Sequence, residues 1–288
     1  MSGKSATEAA GRLLAHPRYE LVPLHSAAEQ IPHLPEGSTV SVTWSPTRGL
    51  EPTLALCEEL AARGFQAVPH IAARQVKDEA ELAEIADRAA AAGIGEIFVV
   101  GGDATAPEGP FRSALELLAC LDRLGKRFDR VGVAGYPEPH PLVDDGVMLQ
   151  ALKDKEPFAA YVVTQICYSA GRLFAWVDRI RGAGVELPVY VGVPGAVRRA
   201  KLLEISLRIG VGDSIRYLRK RGGTVARLLR SRAYRPNGFI TDVASRLEGR
   251  APGVVGFHIN TFNQVESTER WRREIMADTT PRRALPVD

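Results

Sequence analysis

Cysteine is scarce in this sequence, and long apolar runs are absent. The three cysteines, Cys57, Cys120 and Cys167, lie far apart in apolar stretches and form no CxxC pair. This spacing implies neither a disulfide framework nor a cysteine zinc site, and it is typical of small buried thiols. No segment approaches the roughly eighteen uninterrupted apolar residues of a membrane helix, and the first twenty residues contain no apolar signal core. We therefore expect a cytoplasmic protein without a membrane partner.

A large charge excess is also lacking. Lysine and arginine number 37 against 34 aspartates and glutamates, for a formal net charge of +3. So small an excess does not argue for nucleic-acid binding, although basic residues concentrate in the segment from Arg198 to Arg235, called here the basic segment. Few aromatic residues interrupt its arginines, and no helix-turn-helix or RNP-like pattern occurs. The sequence predicts no nucleic-acid partner.

The chain is long enough for one (β/α)8 barrel. Its 288 residues, 45% of them apolar, predict a single domain over 1–288, with a barrel core over about 18–263 and a flexible C-terminal tail over about 272–288. Short β-branched runs alternate with longer segments of helical periodicity, as in parallel sheets built from βα units. The eight predicted strands are Tyr19–Pro23, Thr39–Thr43, Gln66–Ile71, Glu96–Val100, Arg130–Ala134, Ala160–Thr164, Pro188–Val193 and Gly253–Ile259.

Helices are predicted between these strands, at about 51–64, 78–93, 111–126, 143–156, 171–183 and 198–210. Several end at a glycine, the usual helix stop: Gly64, Gly93, Gly125 and Gly184. The longer interval 211–252 predicts additional helices. No G-x-G-x-x-G turn follows the first strand, so a closed barrel is favoured over a doubly wound sheet. In such barrels the chemistry lies at the C-terminal ends of the strands.

The predicted strand ends carry a specific series of motifs: YELVP, SVT, VPH, VGGD, VAGYPEPHP, LKDK, VVTQ, LPVYVGVPG and GFHINTFN. In order and spacing, over about 20–263, this series resembles the successive strand-end motifs of methylenetetrahydrofolate reductases. The most specific part is VAGYPEPHP followed by TQ. A lone SVT or GGD would indicate nothing.

The resemblance implies reduction of 5,10-methylenetetrahydrofolate to 5-methyltetrahydrofolate, a step of one-carbon metabolism and methionine biosynthesis. It places Glu20 as the general acid, with Asp103 and Gln165 holding the pterin. Partial desolvation on a barrel strand is expected to raise the pKa of Glu20 so that it holds a proton. Taken without the other motifs, Glu20 is more simply a rim carboxylate paired with an arginine. Asn260 is also expected at the substrate, where the family usually has a tyrosine.

Hydride in this family usually passes from NADH or NADPH through bound FAD. The resemblance assigns the cofactor site to residues at several strand ends: Thr43, His70, Gly102, Tyr136, His140 and Lys155. Departures cluster around the same site, with Gly101 where the family has arginine and Met148 where it has an acidic residue. Ile166, Cys167 and Tyr168 likewise replace the usual phenylalanines. FAD binding is therefore in question, and a direct hydride transfer from the nicotinamide to the folate becomes a hypothesis.

Several alternatives stay open at this level. A tetrahydrofolate-dependent methyltransferase or demethylase would reuse the same pterin pocket without a hydride step, and a non-catalytic folate-binding protein would keep the pocket alone. The basic segment is either a solvated helix face or a site for pyrophosphate or a polyglutamate tail. The sequence does not choose between NADH and NADPH, or between a monomer and a small homo-oligomer.

Overall fold

Eight parallel strands close into a barrel in chain order. The computed structural model describes residues 3–44, 48–138, 143–198, 234–247 and 253–279. The strands are β1 Arg18–Leu21, β2 Thr39–Val42, β3 Gln66–Ala72, β4 Glu96–Val100, β5 Arg130–Gly135, β6 Tyr161–Thr164, β7 Val189–Pro194 and β8 Val254–Asn260. β8 pairs with β1 to complete the ring. The predicted (β/α)8 barrel is confirmed, and every predicted strand boundary lies within two residues of the observed one.

Helices surround the barrel. They are α1 Gly3–Ala15, α2 His25–Ala28, α3 Glu51–Ala62, α4 Glu79–Ala91, α5 Ala114–Arg123, α6 Asp145–Lys155, α7 Ala170–Gly182, α8 Asn237–Leu247 and α9 Val265–Thr279, with 3-10 turns at Ile31–His33, Ala73–Gln75 and Glu156–Phe158. The first five predicted helices are confirmed as α3 to α7. α8 confirms a helix within 211–252, whereas the helix predicted at 198–210 lies almost wholly outside the described residues. Within the described ranges, no helix is long and apolar enough to cross a membrane.

Local sequence signals fix where these helices begin and end. The side chain of the N-cap residue Asp78 accepts the Glu81 N–H at 2.8 Å, and Glu81 Oε2 accepts the N–H of the preceding Lys77 at 2.6 Å, so two backbone donors are satisfied at the start of α4. Ser113 caps α5 in the same way. The glycines predicted as helix stops all adopt positive φ, the left-handed conformation that terminates a helix. Helix α1 was not predicted; it packs against α8, α9 and β8.

Buried polar contacts fasten α9 and α1 to the first strand. The Tyr19 hydroxyl donates to the Glu269 carboxylate, and Arg272 Nε donates to Glu269 Oε1 at 2.7 Å. Arg272 Nη1 also donates to the Leu14 carbonyl at 3.0 Å. The tail expected from about 272 therefore overlaps α9, which continues to Thr279, and residues 280–288 lie outside the described part of the chain.

The N-terminal end of the barrel is filled by side chains. Arg18 is 3% exposed and forms an ion pair with Glu96 across the interior. It also donates to Tyr161 Oη at 2.9 Å, and its guanidinium lies 4.4 Å from the Tyr161 ring centroid and 5.2 Å from that of Tyr190. Above this floor, Val68 and Phe98 pack with Tyr161 in an apolar cluster. The remaining interior space lies toward the C-terminal ends of the strands.

Candidate active site

Glu20 lies at the C-terminal half of the barrel between two histidines, one on the adjacent strand β8 and one on β3, which β2 separates from β1. Its Oε2 is 3.0 Å from His258 Nε2 on β8 and 3.9 Å from His70 Nε2 on β3. The exposed fractions of the side chains are 19% for Glu20, 9% for His70 and 3% for His258. We call these three residues the carboxylate–histidine cluster. Phe98 packs on the His70 ring with a centroid separation of 4.6 Å and fixes its orientation.

The electrostatics of Glu20 differ from the expectation. Burial raises its pKa, but the hydrogen bond from His258 and the charge interactions with His70 and His258 together lower the pKa below its ordinary value. The expectation of a raised pKa is therefore wrong for the free protein, because the sequence did not place two imidazoles beside the carboxyl group. Burial also lowers the pKa of His70, to about 4, so His70 is neutral at pH 7.

The turn after β8 anchors the end of β1 that carries Glu20. The Glu20 carbonyl accepts from Thr261 Oγ1 at 2.7 Å. The Asn263 side chain accepts the Val22 N–H at 2.9 Å and donates to the Val22 carbonyl at 2.9 Å. Asn263 has φ 55° and Phe262 has φ 50°, two left-handed residues in succession. This uncommon backbone aims the amide of Asn263 back at the first strand.

Asp103 lies in the loop that follows β4. Gly102 turns the chain with φ +89°, and a Cβ there would meet the Ala72 Cβ at 3.1 Å, so both the conformation and the close approach require glycine. Asp103 is exposed, and its negative charge adds to burial in raising the pKa of Tyr136. The structure therefore brings Asp103 and Tyr136 close together, at the ends of β4 and β5.

Gly101 stands where the resemblance places an arginine. Arg74 follows β3 and reaches this loop, but its side chain donates to the carbonyls of Ala104, at 3.0 Å, and Arg112, at 2.9 Å. Its donors thus brace the loop that carries Asp103.

Gln165 and Asn260 end their strands with uncommitted amides. The Gln165 N–H donates to the Gly135 carbonyl at 2.8 Å, while Thr164 Oγ1 donates to the Gln165 carbonyl at 2.8 Å and accepts the Gly192 N–H at 2.9 Å. These contacts fix the backbone, and the side-chain amide of Gln165 has no partner within the described residues. Asn260 lies in register with Glu20 on the neighbouring strand, and its amide is also without a partner there.

Lys155 lies at the end of α6 beside a small cavity. The cavity has a volume of about 30 Å³ and is lined by Tyr136, Met148, Trp176 and Arg179 among others. Burial lowers the pKa of Lys155. Within the described residues the ammonium has no ion-pair partner, whereas Arg179 is paired with Asp145 at 2.7 Å. A half-buried cation without an ion-pair partner among the described residues is suited to an anionic ligand.

The structure describes two of the remaining residues that the resemblance assigns, Thr43 and His70. The Thr43 N–H donates to the Leu21 carbonyl at 3.0 Å, which places Thr43 beside the end of β1, and its hydroxyl has no partner among the described residues. His70 belongs to the carboxylate–histidine cluster. His140 and nearly all of the basic segment lie outside the described residues.

The residues present fit an FAD only in part. A flavin needs positive charge beside its pyrimidine edge, yet Gly101 stands where that charge is expected and Arg74 is committed to backbone carbonyls. The cavity beside Lys155 has room for about one water molecule. Lys155 alone suits a phosphate, but this does not distinguish FAD from a nicotinamide dinucleotide. We therefore derive no step through FAD.

Fold and site together define an eight-stranded α/β barrel with a part-buried acid at its C-terminal mouth, beside polar groups that have no partner among the described residues. The family model for methylenetetrahydrofolate reductase matches residues 20–205 of this chain. The match covers most of the barrel, including Glu20, Asp103 and Gln165. The chain belongs to the methylenetetrahydrofolate reductase family.

Curated relatives include two yeast proteins. Methylenetetrahydrofolate reductase 1 of Schizosaccharomyces pombe is 34% identical over 108 residues, which cover 34% of this chain and 18% of that protein. Methylenetetrahydrofolate reductase 2 of Saccharomyces cerevisiae is 32% identical over 114 residues, covering 36% and 19% respectively. The matched segments thus span about a fifth of these relatives' length. Among solved structures, a GH18 chitinase from Cycas revoluta has a TM-score of 0.53 at 11% identity, covering 92% of this chain and 99% of that one, which shows the barrel fold alone.

The sequence analysis assigned no role to three residues that organise this site. His258 contacts Glu20 directly, Asn263 fixes the end of β1, and Arg18 fills the floor beneath. The signal for His258 was present, because it lies two residues before Asn260 and therefore on the same inward face of β8. The position of Arg18 two residues before Glu20 carries the same signal.

Proposed function

We propose that this protein reduces 5,10-methylenetetrahydrofolate to 5-methyltetrahydrofolate, with a reduced nicotinamide dinucleotide as the hydride donor. The observation that carries the proposal is the placement of Glu20 at the barrel mouth, held by His258 at 3.0 Å, in a chain with uncommitted amides at Gln165 and Asn260. Family membership supports the same substrate. The protein acts in the cytoplasm.

The folate must become an electrophile before it accepts hydride. Protonation of N10 opens the five-membered ring and leaves a 5-iminium cation whose exocyclic carbon takes the hydride. Glu20 delivers this proton. Its pKa lies below the ordinary value in the free protein, so the bound pterin must raise it by covering the carboxyl group and excluding water.

The pterin is held by groups that have no side-chain partner in the described part of the chain. The Gln165 amide offers both a donor and an acceptor to the pterin edge, and Asn260 offers the same from the strand next to Glu20. The Asp103 carboxylate accepts pterin N–H groups and stabilises the iminium cation by its charge. Lys155 takes a phosphate of the dinucleotide, which relieves the desolvation of its ammonium.

Hydride passes directly from nicotinamide C4 to the iminium carbon. The transfer needs the two carbons about 3 to 3.5 Å apart and aligned, and it uses only the two reactants. The incomplete fit to FAD supports this route over the flavin route usual in the family.

The experiment follows NADH or NADPH oxidation at 340 nm with methylenetetrahydrofolate, using flavin-free protein with and without added FAD. Nicotinamide deuterated at C4 is supplied in parallel. We expect oxidation without FAD, deuterium in the methyl group of the product, and loss of the reaction in Glu20→Gln. Activity only with FAD would overturn the direct route, and no substrate-dependent oxidation under either condition would overturn the reductase proposal.

A further inference from the structure

His70 presents an unexplained buried atom to the acid. Its Nε2 lies 3.9 Å from Glu20 Oε2, too far for a hydrogen bond, and has no other partner within the described residues. The His70 side chain is only 9% exposed, so bulk water does not reach this nitrogen to form a hydrogen bond with it. A buried nitrogen aimed at a carboxylate without bonding to it requires an explanation, and a bound ion between them is one.

The cluster offers the donor set of a metal site. One donor atom each from Glu20, His70 and His258 lie within 4.8 Å of one another. Two imidazole nitrogens and one carboxylate oxygen suit zinc and similar divalent transition metals. A tetrahedral ion with bonds of about 2.0 to 2.2 Å holds its donors about 3.3 Å apart. The separations from Glu20 Oε2, 3.0 and 3.9 Å, lie on either side of that value.

Small side-chain rotations would therefore complete the coordination. His258 Nε2 would become a ligand by moving its proton to Nδ1, which is buried and has no partner in the described residues. Phe98 keeps the His70 ring facing the cluster, and the two imidazole planes are inclined by only 29°. Three protein ligands leave further positions open toward the barrel mouth, as in zinc sites that bind water or a small ligand.

We propose that Glu20, His70 and His258 form a binding site for one divalent transition-metal ion of the zinc type. The bound ion occupies the carboxylate that would otherwise hold a proton, so metal-loaded protein lacks its general acid. Metal binding itself does not depend on the proposed reductase reaction; only its inhibitory effect does.

The test titrates Co²⁺ into purified, metal-stripped protein and reads the visible d–d absorption of the cobalt, followed by displacement with Zn²⁺. We expect one Co²⁺ per chain and complete displacement by one Zn²⁺. In His70→Gln and in Glu20→Gln the affinity should fall by at least the roughly 10- to 100-fold that loss of an outer-shell partner costs. His33→Gln is the matched control, because His33 is exposed and lies outside the cluster. Its titration should equal that of the unmodified protein.

Circular dichroism identifies any variant that fails to fold, and the isosteric Glu20→Gln then serves in place of His70→Gln. Absence of cobalt absorption, or equal affinity in the cluster variants and the control, would overturn the metal site. If one bound zinc ion per chain left the reductase rate unchanged, the proposed inhibition by metal would be overturned. Stoichiometric zinc binding to an enzyme without reductase activity would sustain the metal site while the proposed function fails.

Discussion

Asn263 bonds both polar backbone groups of Val22, at 2.9 Å each, and so joins the turn after the last strand to the end of the first. The barrel is closed at this seam by a side chain as well as by the β8–β1 ladder. Glu20 is two residues before Val22, and the clamp therefore limits movement of the acid.

We expect Asn263→Ala to lower the free energy of unfolding by about 1–3 kcal/mol, because two part-buried backbone groups lose their partner. The left-handed φ of 55° at this position is also less favourable for alanine than for asparagine. Urea unfolding measures the change. Asn263→Gly also removes the hydrogen bonds to Val22, but glycine adopts the left-handed φ without strain. The difference in stability between the two variants therefore measures the backbone strain of alanine. Equal stability of Asn263→Ala and the unmodified protein would show that the clamp contributes nothing.

Gln165→Ala should raise the KM for the folate about 10- to 100-fold, because a lost hydrogen-bonding pair to a buried ligand edge is worth about 1–3 kcal/mol. The KM for the nicotinamide should stay unchanged. Steady-state kinetics with each substrate varied in turn give both values. Gln150→Ala is the control, since Gln150 is exposed on α6. A matching rise in both KM values would instead indicate general disturbance of the barrel.

Lys155→Met should stabilise the protein at pH 7 by about 0.5–2 kcal/mol while weakening dinucleotide binding. Burial lowers the pKa of Lys155, so below that pKa its charge destabilises the native state. This destabilisation disappears as pH rises from the native-state pKa of Lys155 to its unfolded-state pKa. The stability gain of Lys155→Met should vanish over the same pH range. Thermal unfolding from pH 7 to 10.5 tests the trend, with exposed Lys153→Met as control. A stability gain independent of pH would contradict this explanation.

Alkaline conditions should destabilise the protein through its buried tyrosines. Burial and the neighbouring Glu269 raise the pKa of Tyr19, and burial raises that of Tyr161. Above about pH 10 the unfolded chain loses phenolic protons that the native state keeps, so stability falls as pH rises.

Replacing Tyr19 with phenylalanine removes one of these protons. The decline above pH 10 should flatten by about 1.4 kcal/mol per pH unit in Tyr19→Phe. At pH 7 the variant should lose about 1–2 kcal/mol, because the hydroxyl no longer satisfies Glu269. Chemical unfolding at a series of pH values measures both quantities, and parallel curves for the two proteins would refute the assignment.

The barrel was predictable because its signals are local. Each strand is a short β-branched run, and most helices carry a capping residue or a glycine stop. The boundaries of β4, for example, fall where the β-branched run begins and ends. Helix α1 was missed because its helical face is recognisable only once α8 and α9 are in place to cover it.

The sequence predicts which strand ends carry the candidate site residues but not the electrostatics there, and the roles of these residues stay predictions. Glu20, Asp103 and Gln165 stand at strand ends, where a motif can be matched by position alone. The direction of the Glu20 pKa depends on His70 and His258, which are 50 and 238 residues away in the chain. His258 approaches Glu20 because β8 closes onto β1, and His70 approaches it because β3 faces the same interior. Neither interatomic distance can be predicted from the sequence.

The floor built on Arg18, Glu96 and Tyr161 has a kinetic consequence. Within the described residues, side chains fill the N-terminal end of the barrel, so reactants reach Glu20 from the opposite mouth. A nicotinamide and a pterin that react directly must therefore occupy one entrance at the same time, and the reactant seated deeper cannot depart before the outer one has left. Under the proposed direct hydride transfer, we expect ordered turnover through a ternary complex, so initial-rate plots for the two substrates should intersect rather than run parallel.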